Sequence, residues 1–257
     1  MKKLIAFDLD GTLAPSKSAL PDKIANLFEA LLQKYEVCVI SGGNFRQFQM
    51  QLLGNLELSH HELQRLHLMP TCGTRYYIYN QADEKWDMQY AEDFNEEEKT
   101  KIKAALNKGF DDLGYREKKT YGPTLEDRES QITFSALGQD IVAELGAKGV
   151  ELKEAWDPDN TKKQEIRDYI SPMLQEFEVR VGGVTSIDVT KKGVDKAYGM
   201  RKIMSSLEIG KDEIIFIGDR LQEGGNDYPV KVMGIDTVEV ISWHETAVVI
   251  DALRYCA

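Results

Sequence analysis

Cysteine is scarce in this chain. Cys38, Cys72 and Cys256 are odd in number and far apart, so neither a disulfide framework nor a zinc site is indicated. Such usage fits a reducing compartment, and a cytoplasmic location is expected. Basic charge is also short: 32 Lys and Arg stand against 43 Asp and Glu, a formal charge of −11. Nucleic acid is therefore not an expected partner, because backbone binding needs a surplus of cations. A small anionic substrate stays compatible, since it responds to the local field of a pocket. No apolar run approaches the ~20 residues of a membrane-spanning helix, so no membrane partner is expected. The start, Met1-Lys2-Lys3, is followed by only four residues, Leu4 to Phe7, before Asp8 interrupts them. That is too short for the apolar stretch of a signal peptide, and a soluble, unprocessed chain is expected. Internal repeats and low-complexity tracts are absent from the sequence.

What is present begins with Phe7-Asp8-Leu9-Asp10-Gly11-Thr12. Leu4 to Phe7 reads as a short buried strand, and residues two apart in an extended segment project to the same side. Asp8 and Asp10 are expected to face one pocket. Like charges that close repel, so they persist where a cation or a proton offsets the repulsion. Although Asp-Gly is also a common turn pair, two acids after a buried strand point to a Mg²⁺-dependent phosphoryl-transfer site.

At 257 residues the chain has room for one large α/β domain or for a core with a companion. Ile24, Leu27, Phe28, Leu31 and Leu32 recur at helical spacing after Pro21 and Asp22. Val37 to Ile40 reads as a second strand, ending at Ser41-Gly42-Gly43, and Asn44 as the cap of a helix to about Leu53. This alternation predicts a parallel sheet with crossover helices, in which chemistry gathers at the carboxyl ends of the strands. From Gln81-Ala82-Asp83-Glu84 onward the character changes. A helix is predicted through Ile102 to Leu113, a half-buried strand over Gln131 to Ser135, and a helix through Ile166 to Phe177 kinked or divided by Pro172. These suggest an α+β module with one solvated sheet face. Past Asp188 the first style resumes, with a helix over about Val194 to Leu207 and an apolar strand, Glu213 to Ile217, before Gly218-Asp219. The predicted architecture is an α/β, Rossmann-like, doubly wound parallel core over residues 1–81 and 188–257. An α+β cap is inserted over 82–187.

Asp8 and Asp10, Ser41, Lys196, and Gly218-Asp219 with Gly224-Gly225-Asn226-Asp227 fall on one edge of that sheet. Phosphoryl transfer asks for in-line positioning and charge neutralisation, and this set supplies a nucleophile, a proton donor, a hydroxyl, a cation and metal ligands. His60, His61, His67 and His244 are expected in surface or packing roles, with the first three in a polar helix or loop.

With these motifs the sequence resembles the haloacid dehalogenase (HAD) superfamily of phosphatases. It is most similar to the branch with a type IIB α/β cap that includes eukaryotic-type phosphomannomutases and sugar-phosphate phosphatases. The matches are D-x-D-G-T at Asp8 to Thr12, S-G-G at Ser41 to Gly43, D-K at Asp195-Lys196, and G-D-x₅-G-G-N-D from Gly218 to Asp227. The resemblance implies that Asp8 accepts the phosphoryl group as an aspartyl-phosphate, while Asp10 protonates the leaving alkoxide and later deprotonates water. It implies one Mg²⁺ held by the Asp8 side chain, the Asp10 main-chain carbonyl and the Asp219 side chain. Asp227 and Asn226 would lie on the ion or on the groups around it. Thr12, Ser41 and the Gly42 amide belong to the phosphate-binding set. Lys196 screens Asp8 from the dianion, with Lys192 as its rival.

For the distal end of the substrate, the resemblance carries over Lys17, Arg128, Ser186 and Asp188. Two clamp arginines of the branch are replaced here by Gln139 and Gly146. Each charge-assisted contact contributes on the order of 1.5 to 3 kcal/mol, so two losses favour release and hydrolysis unless Lys148, Lys153, Lys162 or Lys163 compensates. The expected activity is Mg²⁺-dependent hydrolysis of a small phosphate ester, a sugar phosphate in particular. A phosphomannomutase-type hexose phosphate isomerisation is the alternative. A phosphorylated receiver domain fits less well, since receivers lack the second Asp and the inserted cap. The alternating strands near Gln131 and Val179 offer sheet edges through which a homodimer can form.

Overall fold

The computed structural model describes residues 1–255; Cys256 lies outside the described residues. In chain order the first elements are β1 (Leu4–Phe7), α1 (Asp22–Leu32), β2 (Glu36–Ile40), α2 (Phe45–Gln51), α3 (His60–Leu63), β3 (Leu66–Met69), β4 (Arg75–Asn80) and β5 (Lys85–Ala91). Next come α4 (Glu96–Asp112), β6 (Leu125–Asp127), β7 (Gln131–Ser135), α5 (Ile141–Leu145), α6 (Ala147–Trp156), α7 (Thr161–Ile170), β8 (Phe177–Val181) and β9 (Ser186–Lys191). The last are α8 (Lys196–Leu207), β10 (Ile214–Gly218), α9 (Tyr228–Val232), β11 (Asp236–Glu239) and α10 (Trp243–Leu253). The chain divides into two compact units, residues 1–92 with the chain from 194 onward, and residues 93–193.

The first unit is built on a seven-stranded sheet in the order β11-β10-β1-β2-β3-β4-β5. The five strands from β11 to β3 pair in parallel, and β4 and β5 are added antiparallel. Every residue of β1 is buried because both sheet faces are covered. Ile5 and Phe7 join one apolar cluster with Phe28, Leu31 and Ile250, while Leu4 and Ala6 join the other with Met200, Ile203 and Val230. Alternate side chains thus feed two helical layers, which makes the core doubly wound. The chain leaves β1 toward β2 on one side and returns at β10 on the other, so the strand order reverses beside β1.

Two boundaries differ from the sequence reading. The polar stretch Gln81 to Glu84 is the turn of the β4–β5 hairpin, and β5 pairs with β4 from Arg75↔Ala91 to Asn80↔Lys85. The first crossing therefore falls at 92/93 rather than 81/82. The second falls at 193/194 because β9 continues to Lys191 within the other sheet. His67 lies in β3, not in a polar helix or loop; it is buried and bonds Tyr76 Oη at 2.8 Å and Glu36 Oε2 at 3.0 Å. Cys38 and Cys72 are free thiols, and burial pushes the Cys38 thiol up.

The second unit carries a four-stranded antiparallel sheet ordered β6-β7-β9-β8. Ile132, Phe134, Ile187, Val189, Phe177 and Val179 pack on one face with Ile102, Phe110 and Ile170 from α4 and α7. The predicted half-buried strand at Gln131 to Ser135 is instead buried at all five positions. That strand is also no edge, because β6 and β9 flank it; Val179 does lie on an edge strand, β8. Pro172 stops the predicted long helix: α7 ends at Ile170, a 3₁₀ turn spans Ser171–Met173, and Phe177 opens β8. No helix among the described residues is long and apolar enough to cross a membrane.

Close packing of α8 sets the position of Lys196 at its first turn. A Cβ on Gly199 would stand 2.7 Å from the Cys72 carbonyl oxygen, which no rotamer change relieves. Gly199→Ala is expected to cost about 1 to 3 kcal/mol, an overpacking penalty. Urea unfolding measures this, and an unchanged midpoint would show that α8 has slack.

Candidate active site

The site starts where β1 ends. Asp8 is nearly fully buried, and its amide donates to the Ile217 carbonyl at 3.0 Å, which ties it to the neighbouring strand β10. Asp219 follows β10 directly, and Asp227 precedes α9. The carboxylates of Asp8, Asp219 and Asp227 each offer an oxygen within 4.8 Å of the others. Lys196 Nζ donates to Asp8 Oδ1 and to Asp227 Oδ1, each at 2.5 Å, and its side chain is fully buried. The Asp195 side chain caps α8 by accepting from the Tyr198 amide at 2.7 Å, so the lysine leaves a fixed first turn.

Burial raises the Asp8 carboxyl well above the ordinary range; Lys196 opposes this, and Asp227 and Asp219 add to it. Asp219 is raised by burial first and then by Asp227. Burial alone pulls the Lys196 ammonium down, but Asp227 and Asp8 together hold it above the usual lysine value. Three acids gather around the Lys196 ammonium, and Arg220 Nε approaches Asp219 Oδ2 at 3.7 Å. All-oxygen donors at this spacing suit a hard ion.

The turn after Asp8 is shaped by the same cluster. Gly11 has φ +89°, and a Cβ there would meet Asp219 Oδ2 at 2.5 Å. Thr12 Oγ1 donates to Asp219 Oδ1 at 3.4 Å, and the Thr12 carbonyl accepts from Thr246 Oγ1 at 2.7 Å. The Arg220 amide donates to Asp227 Oδ2 at 3.1 Å.

The Asp10 carboxylate is held by donors of its own. It accepts from the Lys17 amide at 2.7 Å, from Gln47 Nε2 at 2.7 Å and from Gln51 Nε2 at 3.2 Å. β1 ends at Phe7, and beyond Asp10 the Gly11 amide donates to the Ala14 carbonyl at 2.8 Å. Asp219 and Asp227 crowd Asp8, and the Asp10 carboxylate is not one of that metal-sized group of three. Gln47 and Gln51 escaped the sequence reading. Their only signal is i,i+4 spacing on α2, which puts both on one helix face, where Gln47 Nε2 also donates to Gln51 Oε1 at 2.5 Å.

Ser41 follows β2 and is buried, its Oγ accepting from the Gly43 amide at 3.2 Å, while a Cβ on Gly42 would find open space. Lys192 is exposed, so the buried ion pair belongs to Lys196 alone of the two. Asn226 is exposed. Lys17 is exposed with φ +55° and meets Asp10 through its backbone. In the second unit, Arg128 Nη2 donates to Glu126 Oε2 at 2.7 Å, Asp188 Oδ1 accepts from Thr133 Oγ1 at 2.7 Å, and Ser186 is half-buried. Gly146 sits between α5 and α6 at φ +57°, a conformation that disfavours the arginine the resemblance leads one to look for there. Lys162 and Lys163 are occupied, donating to the Trp156 and Gly183 carbonyls at 2.6 and 3.1 Å.

Removing the ammonium leaves two buried carboxylates unpaired. Lys196→Met is expected to destabilise the metal-free protein by about 3 to 5 kcal/mol, and adding Asp8→Asn to recover part of that loss. A chemical-denaturation double-mutant cycle reads the coupling; additive effects would contradict a shared ion pair.

The comparisons with known proteins follow this geometry. A phosphomannomutase of Encephalitozoon cuniculi is 28% identical over 238 residues, spanning 89% of this chain and 84% of that protein. A C-terminally truncated IMP-nucleotidase of Plasmodium falciparum superposes with a TM-score of 0.68 at 18% identity, covering 100% of this chain and 72% of that one. A haloacid dehalogenase-like hydrolase from Bacteroides thetaiotaomicron gives a TM-score of 0.61 at 15% identity, covering 98% and 100%. The family profile described as haloacid dehalogenase-like hydrolase matches residues 5–229, from β1 into α9, and the chain belongs to that enzyme family.

Proposed function

We propose that this enzyme is a Mg²⁺-dependent phosphohydrolase acting on a small phosphorylated metabolite, a sugar phosphate, through an aspartyl-phosphate on Asp8. The observation that carries the reading is the buried Lys196 ammonium bridging Asp8 and Asp227, with Asp219 alongside, at the carboxyl ends of neighbouring parallel strands. Asp8, Asp219 and Asp227 have the donor chemistry to hold Mg²⁺, with the Asp10 carbonyl as a further oxygen. The ion, when bound, supplies neutralisation of the phosphate oxygens and of the crowded acids.

An Asp8 carboxylate oxygen attacks phosphorus in line, and the bond from phosphorus to the ester oxygen breaks. Lys196 holds Asp8 in a defined orientation and offsets the incoming negative charge. Asp10, steadied by Gln47, Gln51 and the Lys17 amide, gives a proton to the leaving alkoxide. It then takes a proton from water as that water attacks the acyl phosphate, releasing inorganic phosphate and restoring Asp8. Ser41, Thr12 and the Gly42 amide serve the transferring phosphoryl oxygens, and the second unit selects the leaving group through Arg128, Ser186 and Asp188.

A second reading, a phosphohexomutase, is favoured by the phosphomannomutase relative described above. The replacement of two clamp arginines by Gln139 and Gly146 favours the hydrolase. Mannose 1-phosphate or glucose 1-phosphate, supplied with Mg²⁺ and a trace of hexose bisphosphate, separates the two: free phosphate marks the hydrolase and hexose 6-phosphate the mutase.

Asp8→Asn is expected to abolish phosphate release across a panel of sugar phosphates, and full turnover by that variant would end the proposal. Asp10→Asn should lower kcat by about 10² to 10⁴-fold while Mg²⁺ still raises the melting temperature. EDTA should stop turnover, and excess Mg²⁺ should restore it; activity indifferent to both would rule out the metal.

A further inference from the structure

The buried face of α10 carries a hydroxyl where its pattern calls for an apolar side chain. Thr246, Ala247 and Ile250 are the buried residues of that helix, and Ala247 and Ile250 join the apolar cluster of Phe28 and Leu31. Thr246 is fully buried beside them, and a hydroxyl taken out of water has to be matched by an acceptor. A threonine inside a helix commonly donates to the carbonyl four residues back. Here that carbonyl, of Ser242, stands 3.4 Å from Oγ1, while the Thr12 carbonyl stands at 2.7 Å. The hydroxyl has one proton to give, so its bond goes to a residue 234 positions away in the chain.

Thr12 needs that donor. It is itself fully buried, and among the described residues no other donor reaches its carbonyl. A buried carbonyl left without a partner is costly. The turn around it starts at Asp8, whose amide is fixed to β10, and passes through Asp10, whose carbonyl is a candidate metal oxygen. Within the turn the bonds are local. The Leu13 and Ala14 amides donate to the Leu9 carbonyl at 3.0 and 3.2 Å, and the Gly11 amide donates to the Ala14 carbonyl at 2.8 Å. None of those bonds ties the Thr12 carbonyl to another element; Thr246 does. From the same residue, Thr12 Oγ1 donates to Asp219 Oδ1 at 3.4 Å, and Gly11 lies so close that a Cβ would meet the Asp219 carboxylate. The chain leading into α10 also holds the other loop, since the Val240 amide donates to the Gly218 carbonyl at 3.0 Å, one residue before Asp219.

We infer that Thr246 is a positioning residue for the metal site. Its hydroxyl sets the backbone of residues 10–12 and, through Thr12, the carboxylate of Asp219. The inference rests on the Mg²⁺-dependent reading given above, and Thr246 acts only through its neighbours.

Mg²⁺ is titrated by calorimetry into metal-free native protein, Thr246→Val, Thr246→Ser and Ile250→Val, at a temperature where circular dichroism shows all four folded. Thr246→Val keeps the shape and removes the hydroxyl, so the Mg²⁺ dissociation constant should rise about tenfold, as for other groups that orient a metal ligand. Thr246→Ser keeps the hydroxyl and should recover most of the native affinity. Ile250→Val trims the same helix face one turn on, weakens the core alone, and should leave Mg²⁺ affinity unchanged. In hydrolysis of p-nitrophenyl phosphate, the Mg²⁺ concentration for half-maximal rate should also rise about tenfold in Thr246→Val. Native affinity in Thr246→Val, or an equal loss in Ile250→Val, overturns the inference and leaves the metal reading in place. A native protein that takes up no Mg²⁺ overturns both. Should the affinities differ as expected while the native protein hydrolyses no phosphate ester, the phosphohydrolase reading falls and the Thr246 assignment stands.

Discussion

Crowding three carboxylates, two of them buried, around one buried ammonium is the constraint on which the first unit depends. Each acid alone would be expensive to desolvate, and Asp8 and Asp219 register that cost in their raised carboxyl values. The arrangement persists because Lys196 neutralises part of it and further donors take up lone pairs: the Arg220 amide on Asp227 and the Thr12 hydroxyl on Asp219. The crowded carboxylates are a group with the donor atoms to hold a metal ion. The parallel sheet meets the geometric demand, since β1 and β10 end side by side and deliver Asp8 and Asp219 to one edge. The glycine after Asp10 follows from the same crowding, as its missing Cβ is where Asp219 lies.

The second unit solves a different problem with an antiparallel sheet. One face is spent on Phe110, Phe134 and Ile187, which bury it against α4 and α7. The other face is polar, with Gln131, Thr133 and Ser135 buried along β7, and it is tolerable because its hydroxyls and amides bond one another in sequence from Gln131 to Asp188. Such ordered polar surface has little entropy left to lose when a ligand meets it, so it is suited to recognition more than to stability.

Legibility in the sequence tracked how local each determinant is. β1, α1 and α8 were readable because burial imposes a period on contiguous residues, as in Ile24, Phe28 and Leu31. Gln81 to Glu84 misled because a hairpin turn and an interdomain linker share the same polar composition; only the pairing of β5 with β4 tells them apart. Gln131 to Ser135 misled for a related reason: alternation announces two chemically different faces but not whether the polar one meets water.

The sequence by itself determined the alternation of strands and helices, the family motifs, and the identities of the acids and the lysine. Those are properties of spacing and residue type over short stretches. Tertiary structure alone decided which carboxylates form the metal-sized group: Asp8 joins Asp219 and Asp227, more than two hundred residues away, while the Asp10 carboxylate bonds Gln47 and Gln51. It likewise separated Lys196 from Lys192 and set Thr246 against Thr12. Electrostatic partnership depends on distance through space and on burial, and neither quantity exists until the sheets have formed.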